Sequence, residues 1–355
     1  MRQVLNFLNK PPIYNMLLDS GAFSAWRLGQ PINLNEYCDF LLENQDWIGH
    51  SVALDVINPG DPEAAARESY NNYLYMRKRG LDPIPVFHVG EDVVWLKRLI
   101  AAGATYVGLS ASSIAATAVG DDWYALIWNY LVNSEGLPIV KVHAFGEGRT
   151  EPLMRFPWYS ADSTSWLYTS QRSGIIQLGD GKRVAFRNDG LSKRFAVDVS
   201  QLSHQEQQIL NKTLSDANVS LDILNKRDSN DAFVIRAYLA ALYYANLQAR
   251  VRARQPIYYK PYGFIKPKPI SEQAIEPFKF NLHLVAGGNY TAFAAIAGTP
   301  HLNVLASYYY LKFGGHHKHL QMFVKSPAYA MRTQSFKRHY DLLQRNLVGV
   351  SHAIS

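Results

Sequence analysis

Short apolar runs alternate with amphipathic stretches between residue 12 and about residue 162. This alternation is typical of repeated strand–helix units and predicts a parallel sheet. The amphipathic stretches have the apolar spacing and the length of crossover helices. The predicted strands are Tyr14–Leu18, Ser51–Val56, Ile84–His88, Tyr106–Leu109, Ile139–His143 and Trp158–Ala161, and the predicted helices are Leu34–Asn44, Pro62–Lys78, Asp92–Ala102 and Asp121–Leu131.

The pattern changes after residue 165. Two apolar runs, Ser173–Leu178 and Arg183–Phe186, flank Gly179-Asp180-Gly181 and predict a hairpin rather than another crossover. Residues 203–253 then follow with helical spacing of Leu, Ala and Tyr. We therefore expect a helical subdomain inserted into the strand–helix series.

Two more strands are predicted towards the carboxyl end, Asn281–Ala286 and Asn303–Tyr309. Added to the six earlier strands they make eight, the number that closes a TIM-like (β/α)8 barrel. The expected fold is thus an α/β barrel with a helical insertion. The main part of the barrel lies in residues 1–200, the insertion in 201–256, and residues 257–355 hold a basic-aromatic segment and the strands that complete the barrel.

Composition narrows the class of protein. With 48% hydrophobic residues the chain can bury a large core, and it has no run of about 18 uncharged apolar residues of the kind that spans a membrane. The first residues also lack the apolar stretch of a signal peptide. These features predict a soluble cytoplasmic protein. Cys38 is the single cysteine, which excludes an internal disulfide and a multi-cysteine zinc site.

The formal net charge of +7 favours a polyanionic partner, because Lys and Arg displace condensed counterions from phosphates. One stretch mixes cations with aromatic residues in the way that nucleic-acid surfaces do. A solvated face followed by a proline-rich loop would have the same composition, so both interpretations stay open. The cations of this stretch are Arg250, Arg252, Arg254, Lys260, Lys266 and Lys268.

Three carboxylates lie at the ends of predicted strands: Asp19, Asp55 and Asp162. Parallel barrels place their active sites at the carboxyl ends of the strands. Each Asp alone is compatible with capping the next helix. Together they fit glycosidic chemistry, in which one carboxylate attacks the anomeric carbon and another manages protons on the departing group. Phe23 and Phe145, each close to a glycine, could form a flat slot for a purine.

The histidines are weaker signals. His88 and His143 lie at strand ends, where a histidine is more often a hydrogen-bonded packing residue than a catalyst. His316, His317 and His319 form a cluster without partnering carboxylates. We expect no metal site and no cofactor.

In this order the motifs resemble the tRNA-guanine transglycosylase superfamily, and more closely its phage and prophage branch that inserts 7-deazaguanines into DNA. The segment Leu18-Asp19-Ser20-Gly21-Ala22-Phe23-Ser24 resembles the family's Asp-Ser-Gly-Gly-aromatic-Gln segment. Asp55 falls at the second base-recognising Asp, and Asp162 at the nucleophile. The likeness covers residues 12–166.

The resemblance implies a role for each matching residue. Asp162 forms a covalent glycosyl–enzyme intermediate and Asp19 handles protons. The remaining matches bind the base, with His88 standing where the family has a Gln, and with Phe23 and Phe145 on the two faces of the purine. These base-binding residues are Ser20, Phe23, Asp55, His88, Gly108, Leu109, Phe145 and Gly146.

Two departures from the family matter. The strand that precedes the Asp-Ser-Gly motif in phage-type relatives resembles residues near the carboxyl end here, which predicts a circularly permuted barrel opened by residues 279–313, with Asn303–Tyr309 beside Tyr14–Leu18. The tRNA enzymes also carry a Cys-rich zinc site downstream of the nucleophile, and this chain has no cysteine there. The second departure favours DNA over tRNA as the substrate.

The resemblance therefore implies exchange of guanine in nucleic acid for a free 7-deazaguanine base, in a host cytoplasm if the protein is phage-encoded. Three alternatives stay open at this point. They are the same chemistry on tRNA, a hydrolase that leaves an abasic site, and a non-enzymatic nucleic-acid-binding protein on a degenerate barrel.

Overall fold

The structure is a computed structural model that describes residues 16–46, 48–111, 118–164, 175–179, 181–186, 196–225, 230–260, 269–285 and 322–324. The chain divides into two compact units. The first comprises Met1–Ser163, Val251–Gly288 and His317–Arg332, and the second comprises Thr164–Arg250, Asn289–His316 and Thr333–Ser355. The first boundary thus falls at Ser163, earlier than the predicted end of the first segment at residue 200.

The first unit alternates strands with helices. Its strands are β1 Met16–Leu18, β2 Ile48–Ser51, β3 Val86–His88, β4 Tyr106–Ser110, β5 Lys141–Phe145, β6 Ser160–Ser163, β10 Asn281–Val285 and β11 Met322–Val324. Its helices are α1 Ala22–Leu28, α2 Leu34–Glu43, α3 Pro62–Lys78, α4 Val93–Ala101, α5 Ala118–Leu131 and α6 Thr150–Arg155.

The eight strands pair in parallel in the order β2-β1-β11-β10-β6-β5-β4-β3. Each strand therefore lies beside one that precedes or follows it among these eight strands, once β11 is set beside β1. Between β2 and β3 the ladder is reduced to one isolated parallel bridge, Val52 with Ile84. The predicted α/β class with a parallel sheet is confirmed, while closure into a barrel stays a prediction.

Local signals explain where the helices begin. Asp61 accepts the N–H of Ala64 and Pro62 occupies the first turn of α3, so this helix begins at a capping side chain followed by proline, as helix starts favour. Asp92 caps α4 by accepting the N–H of Val94, and Asn33 caps α2 through Asn35 and Glu36. These three helices follow the predicted bounds within one residue at each end.

Alternation along the strands separates two apolar layers. Leu17, Val52, Ile84, Val86 and Tyr106 pack together on one face of the sheet, with Phe145 and Tyr159 partly buried against them. On the other face, residues such as Leu18, Phe87, Val107 and Leu109 are buried. Both faces of the parallel sheet are thus covered, as such sheets require.

The second unit contains the predicted hairpin and the predicted helices. Strands β7 Ile175–Gln177 and β8 Arg183–Ala185 pair antiparallel, and β9 Val197–Asp198 adds to β8 in parallel. Three helices follow: α7 His204–Asp216, α8 Leu221–Asn225 and α9 Asn230–Ala253. The boundary between the units falls within α9, because residues from Val251 onwards belong to the first unit. Ser203 and Glu206 form a reciprocal capping box at the start of α7.

The predicted position of the opening strand is corrected by β11. Asn303–Tyr309 was expected beside β1, but β1 pairs with β2 on one edge and with Met322–Val324 on the other, so both of its edges are used. Residues 303–309 themselves lie outside the described residues. The strand signal of Met322-Phe323-Val324 is too short to stand out from a sequence pattern.

Smaller differences concern strand ends and short helices. The second strand runs from Ile48 to Ser51, with Val52 in the isolated bridge, rather than over Ser51–Val56. Helices α1 and α6 were not predicted. In the described part of the chain, no helix combines the length and the apolar character needed to cross a membrane.

Candidate active site

The first polar cluster joins the ends of β1 and β3 to the segment after β2. Asp55 accepts the hydroxyl of Ser20 at 3.0 Å through Oδ1, and its Oδ2 lies 2.9 Å from Nε2 of His88. The other ring nitrogen of His88 lies 3.0 Å from Oε1 of Glu91. Glu91 Oε2 also accepts the backbone N–H of His88. One imidazole is therefore held between two carboxylates.

His88 is charged in this arrangement. Burial lowers its pKa, but the hydrogen bonds and charges of Asp55 and Glu91 raise it more, to about 10. Both ring nitrogens then carry protons and donate. The positive ring offsets the two carboxylates that surround it.

The turn after β1 gives Ser20 its position. Gly21 has φ of 81°, a left-handed conformation that a side chain disfavours, and α1 begins directly after it. The hydroxyl of the buried Ser20 accepts the N–H of Ala22 and donates to Asp55. The Asp-Ser-Gly sequence therefore turns the chain and links β1 to the acid that follows β2.

Asp19 lies close to the same cluster. Burial, followed by the charges of Asp19 and Asp55, raises the pKa of Tyr37 well above its usual value. The hydroxyl of Tyr37 donates to the carbonyl of Val52 at 2.8 Å. Asp19 and Asp55 thus both act on one buried phenol.

The second polar cluster is built on β5 and β6. Oδ1 of Asp162 accepts the backbone N–H of Gly146 at 2.9 Å and lies 3.0 Å from Nε2 of His143. Nδ1 of His143 bonds Oγ of Ser160, which in turn bonds the hydroxyl of Tyr106. All four side chains in this row are buried. Each of the two acids is therefore paired with a histidine, Asp55 with His88 and Asp162 with His143.

The two clusters share one end and one face of the sheet. His88 is in register with Ser110 on β4, and Ser110 with Phe145 on β5. His143 pairs with Ser160, and Asp162 lies two residues further towards the carboxyl end of β6, so it shares the face of Ser160. Alternation puts His88, Phe145, His143 and Asp162 on the face that carries Val86 and Tyr106. This brings the predicted Asp55 and Asp162 to the same edge.

The aromatic residues occupy different surroundings. The ring of Phe145 packs on Gly108 and lies 4.4 Å, centroid to centroid, from that of His143 in an edge-on contact. The side chain of Leu109 is fully buried on the opposite face of the sheet, so only its backbone can lie at the site. Phe23 projects from α1 with 44% of its surface exposed, beside Trp26 and Arg27.

A third cluster follows Gly146 and was not predicted. Glu147 is buried and accepts the backbone N–H and two side-chain N–H groups of Arg149, and Arg149 also donates to Asp121 at 2.7 Å. Burial raises the pKa of Glu147 in spite of Arg149. Glu91 was missed in the same way, because neither acid follows a strand directly. Each is recognised only by its hydrogen bonds, with His88 for Glu91 and with Arg149 for Glu147.

The predicted nucleic-acid cations separate into different roles. Arg252 donates to the carbonyl of Phe280 and to Asn281, at the start of β10, and burial lowers its pKa. Arg250 donates to the carbonyl of Gly179 at 3.2 Å. Arg254 and Lys260 are exposed. Lys266 and Lys268 lie outside the described residues.

Among the described residues, no group of three or more His, Cys, Asp or Glu side chains is placed to hold a metal ion. Cys38 is buried in α2, where burial raises the pKa of its thiol, as expected of a packed helix residue. Comparison with protein-family models, with curated proteins and with solved structures found no match.

Proposed function

We propose that the protein is a transglycosylase that exchanges guanine in nucleic acid for a 7-deazaguanine base through a covalent intermediate on Asp162. The observation that carries the proposal is the meeting of two acid–histidine pairs, Asp55 with His88 and Asp162 with His143, at one end of one face of a parallel sheet. Paired carboxylates with separate environments are what glycosidic displacement needs.

We further propose that the sheet closes as a (β/α)8 barrel, permuted relative to the family so that the Asp-Ser-Gly strand comes first. The sequential strand order and the Val52–Ile84 bridge support closure. In such a barrel the carboxyl ends of the strands form the mouth in which active sites are built.

Asp162 acts as the nucleophile in this scheme. Its Oδ1 is occupied by two N–H donors, whereas no donor in the described residues bonds Oδ2. Oδ2 forms a bond to the anomeric carbon while the bond to guanine N9 breaks, and the departing base takes a proton from Asp19. The incoming base then returns its N9 proton to Asp19 and displaces Asp162, so configuration is retained.

Asp55 recognises the base edge. Each of its oxygens already accepts one hydrogen bond, from Ser20 or from His88, and each keeps a lone pair for an N–H of guanine. Phe23 and Phe145 are the stacking residues, with the target nucleotide turned out of its stack. The backbone of Gly108, Leu109 and Gly146 completes the base site.

DNA is the preferred substrate in this proposal. The tRNA enzymes that the chain resembles carry a Cys-rich zinc site, and the single Cys38 here is buried within α2. The net charge of +7, with Arg254 and Lys260 exposed, suits a phosphate backbone. No cofactor is needed for either displacement.

The test is incorporation of radiolabelled guanine into double-stranded DNA and, in parallel, into unmodified tRNA. Asp162→Ala removes the nucleophile, and Asp122→Asn, which changes an exposed acid on α5, is the matched control. We expect incorporation into DNA by the unmodified protein and by the control, and loss of at least 1,000-fold in Asp162→Ala, on the order seen when a covalent nucleophile is removed.

The other outcomes identify the alternatives. Incorporation into tRNA alone would move the activity to the tRNA branch. Release of guanine without incorporation would indicate a hydrolase, and an active Asp162→Ala variant would contradict the assignment of the nucleophile. Nucleic-acid binding without exchange or release would favour a binding protein.

A further inference from the structure

His143 lies in the middle of a buried row of polar side chains. Tyr106, Ser160, His143 and Asp162 are bonded in that order across β4, β5 and β6, and Gly146 adds a backbone N–H at the Asp162 end. None of these four side chains is more than slightly exposed. Each ring nitrogen of His143 therefore has a defined partner, Ser160 on Nδ1 and Asp162 on Nε2.

The direction of the hydrogen bonds follows from Asp162. A carboxylate only accepts hydrogen bonds, so Nε2 of His143 carries a proton and donates it to Oδ1 of Asp162. In a ring with one proton, Nδ1 is then the acceptor and takes the hydroxyl proton of Ser160. Oγ of Ser160 in turn accepts the hydroxyl of Tyr106, whose phenol pKa is raised by burial.

We infer that His143 is a positioning residue, fixed in its Nε2–H tautomer by Tyr106 and Ser160, which orients the carboxylate of Asp162. The inference deepens the proposed function and rests on it for the role of Asp162 as nucleophile. The tautomer itself is a property of the resting protein and can be measured whether or not the protein exchanges bases.

Orientation matters because the two oxygens of Asp162 are not equivalent. Nε2–H of His143 and N–H of Gly146 both bond Oδ1, which fixes the plane of the carboxylate from two directions. Oδ2 is the oxygen that forms the bond to the anomeric carbon. A displacement of about 1 Å at a reacting atom can lower a rate about 100-fold.

The experiment has a spectroscopic arm and a kinetic arm. In protein with ¹⁵N-labelled histidine, the ring nitrogens of His143 are assigned by the signals that disappear in His143→Gln. We expect a proton on Nε2 and none on Nδ1 at neutral pH. Ser160→Ala removes the donor to Nδ1 and should turn this spectrum into a mixture of tautomers, whereas Tyr106→Phe leaves the Ser160 proton in place and should change it less.

The kinetic arm compares His143→Leu, which removes the N–H donor, with His143→Gln, whose amide keeps a donor near the position of Nε2. We expect kcat to fall about 100-fold in the Leu variant with KM nearly unchanged, and recovery to within about tenfold of the unmodified protein in the Gln variant, as for other preorganised donors. Circular dichroism checks that each variant folds.

Three results would overturn the inference: a neutral ring with its proton on Nδ1, a doubly protonated ring at neutral pH, or equal kcat in the Leu and Gln variants. If the Leu variant does not fold, the Ser160→Ala spectrum decides. An Nε2–H tautomer in a protein that performs no exchange would leave the orientation of Asp162 standing and would count against the proposed function instead.

Discussion

The ring of Phe145 rests on the bare backbone of Gly108: a Cβ on Gly108 would lie 2.2 Å from Cε2 of that ring. Gly108 is on β4 and Phe145 ends β5, so the contact crosses neighbouring strands. It also bears on the Asp162 cluster, because Phe145 packs edge-on against His143. Any side chain at position 108 must therefore move a ring that borders His143, the hydrogen-bond partner of Asp162.

Gly108→Ala should lower both stability and exchange. Pushing the ring of Phe145 off its position costs about 1–3 kcal/mol of unfolding free energy, as is usual when a packed site is overfilled. Urea unfolding measures this loss. Gly179→Ala, where a Cβ would meet nothing within 4 Å, is the control. In a Gly108→Ala, Phe145→Ala double variant the two losses should be less than additive, and strict additivity would argue against the contact.

Glu91→Gln should weaken the protein most at low pH. The pKa of His88, about 10, lies above its ordinary value, so its stabilising contribution is complete below about pH 6.5 and disappears as the pH rises through 10. Removing the charge of Glu91 lowers that pKa. We expect a loss of about 1.5–3 kcal/mol at pH 6, the usual worth of a hydrogen bond to a charged group.

This prediction is tested by measuring the free energy of unfolding in urea at pH 6, 8 and 10. The difference between Glu91→Gln and the unmodified protein should become much smaller at pH 10, because His88 is then about half deprotonated in the unmodified protein and more so in the variant. Glu135→Gln changes an exposed acid and serves as the control. A difference of the same size at all three pH values would show that Glu91 acts through packing and not through the charge of His88.

Arg149→Met should leave Glu147 buried without its main donor. We expect a loss of up to about 3 kcal/mol, because breaking a buried ion pair strands one charge. Burial already raises the pKa of Glu147. A carboxyl group whose pKa is raised in the folded protein stabilises the fold at low pH, and this stabilisation disappears as the pH rises through that pKa. The Arg149→Met variant should therefore lose less stability at pH 5, where Glu147 is more often protonated, than at pH 8.

Two comparisons make this prediction specific. Adding Glu147→Gln to Arg149→Met should restore part of the lost stability, since the stranded charge is gone. Arg67→Met breaks an exposed pair with Glu63 at 3.6 Å and should cost no more than about 1 kcal/mol. If Arg67→Met and Arg149→Met destabilise the protein equally at pH 8, burial of Glu147 is not the cause.

Phe23→Ala should weaken nucleic-acid binding about 10- to 100-fold, the range for loss of one base–aromatic stack. Phe23 and Trp26 are 44% and 47% exposed on α1, so their truncation costs little stability. Leu28→Ala, on the same helix and 57% exposed, is the control. Fluorescence anisotropy with a labelled oligonucleotide measures the change, and equal affinity of the Phe23 and Leu28 variants would remove Phe23 from the base site.

Prediction from sequence succeeded where the signal is local. Helix α3 runs over Pro62–Lys78 as predicted, because its cap, its proline and its apolar spacing all lie within the segment. The second strand was misplaced, since Ile48-Gly49-His50 does not resemble a strand until His50 is seen to pack edge-on against Tyr106 on another strand. A periodic pattern contains no information about such a partner.

The candidate site divides along the same line. Asp19, Asp55 and Asp162 were recognised because each follows an apolar run, and the structure brings Asp55 and Asp162 to one edge of the sheet. Glu91 and Glu147 bond residues only three and two positions away, whereas the partners of Asp162 lie on and after the neighbouring strand, and apolar spacing reveals neither kind of contact. Arg252 is the opposite case. Its place in a basic stretch predicted a contact with nucleic acid, but its side chain is bonded to residues at the start of β10.

The pairing of Leu17 with Phe323 and of Leu18 with Val324 has a consequence for synthesis. The strand that leads into Asp19 is synthesised long before β11, so one of its two edges stays without a partner until more than 300 further residues have been made. Contacts between such distant segments form slowly, and an unpaired edge invites association with other chains. The site therefore matures late, after translation has passed Val324, and nascent chains that stop before it expose the edge of β1.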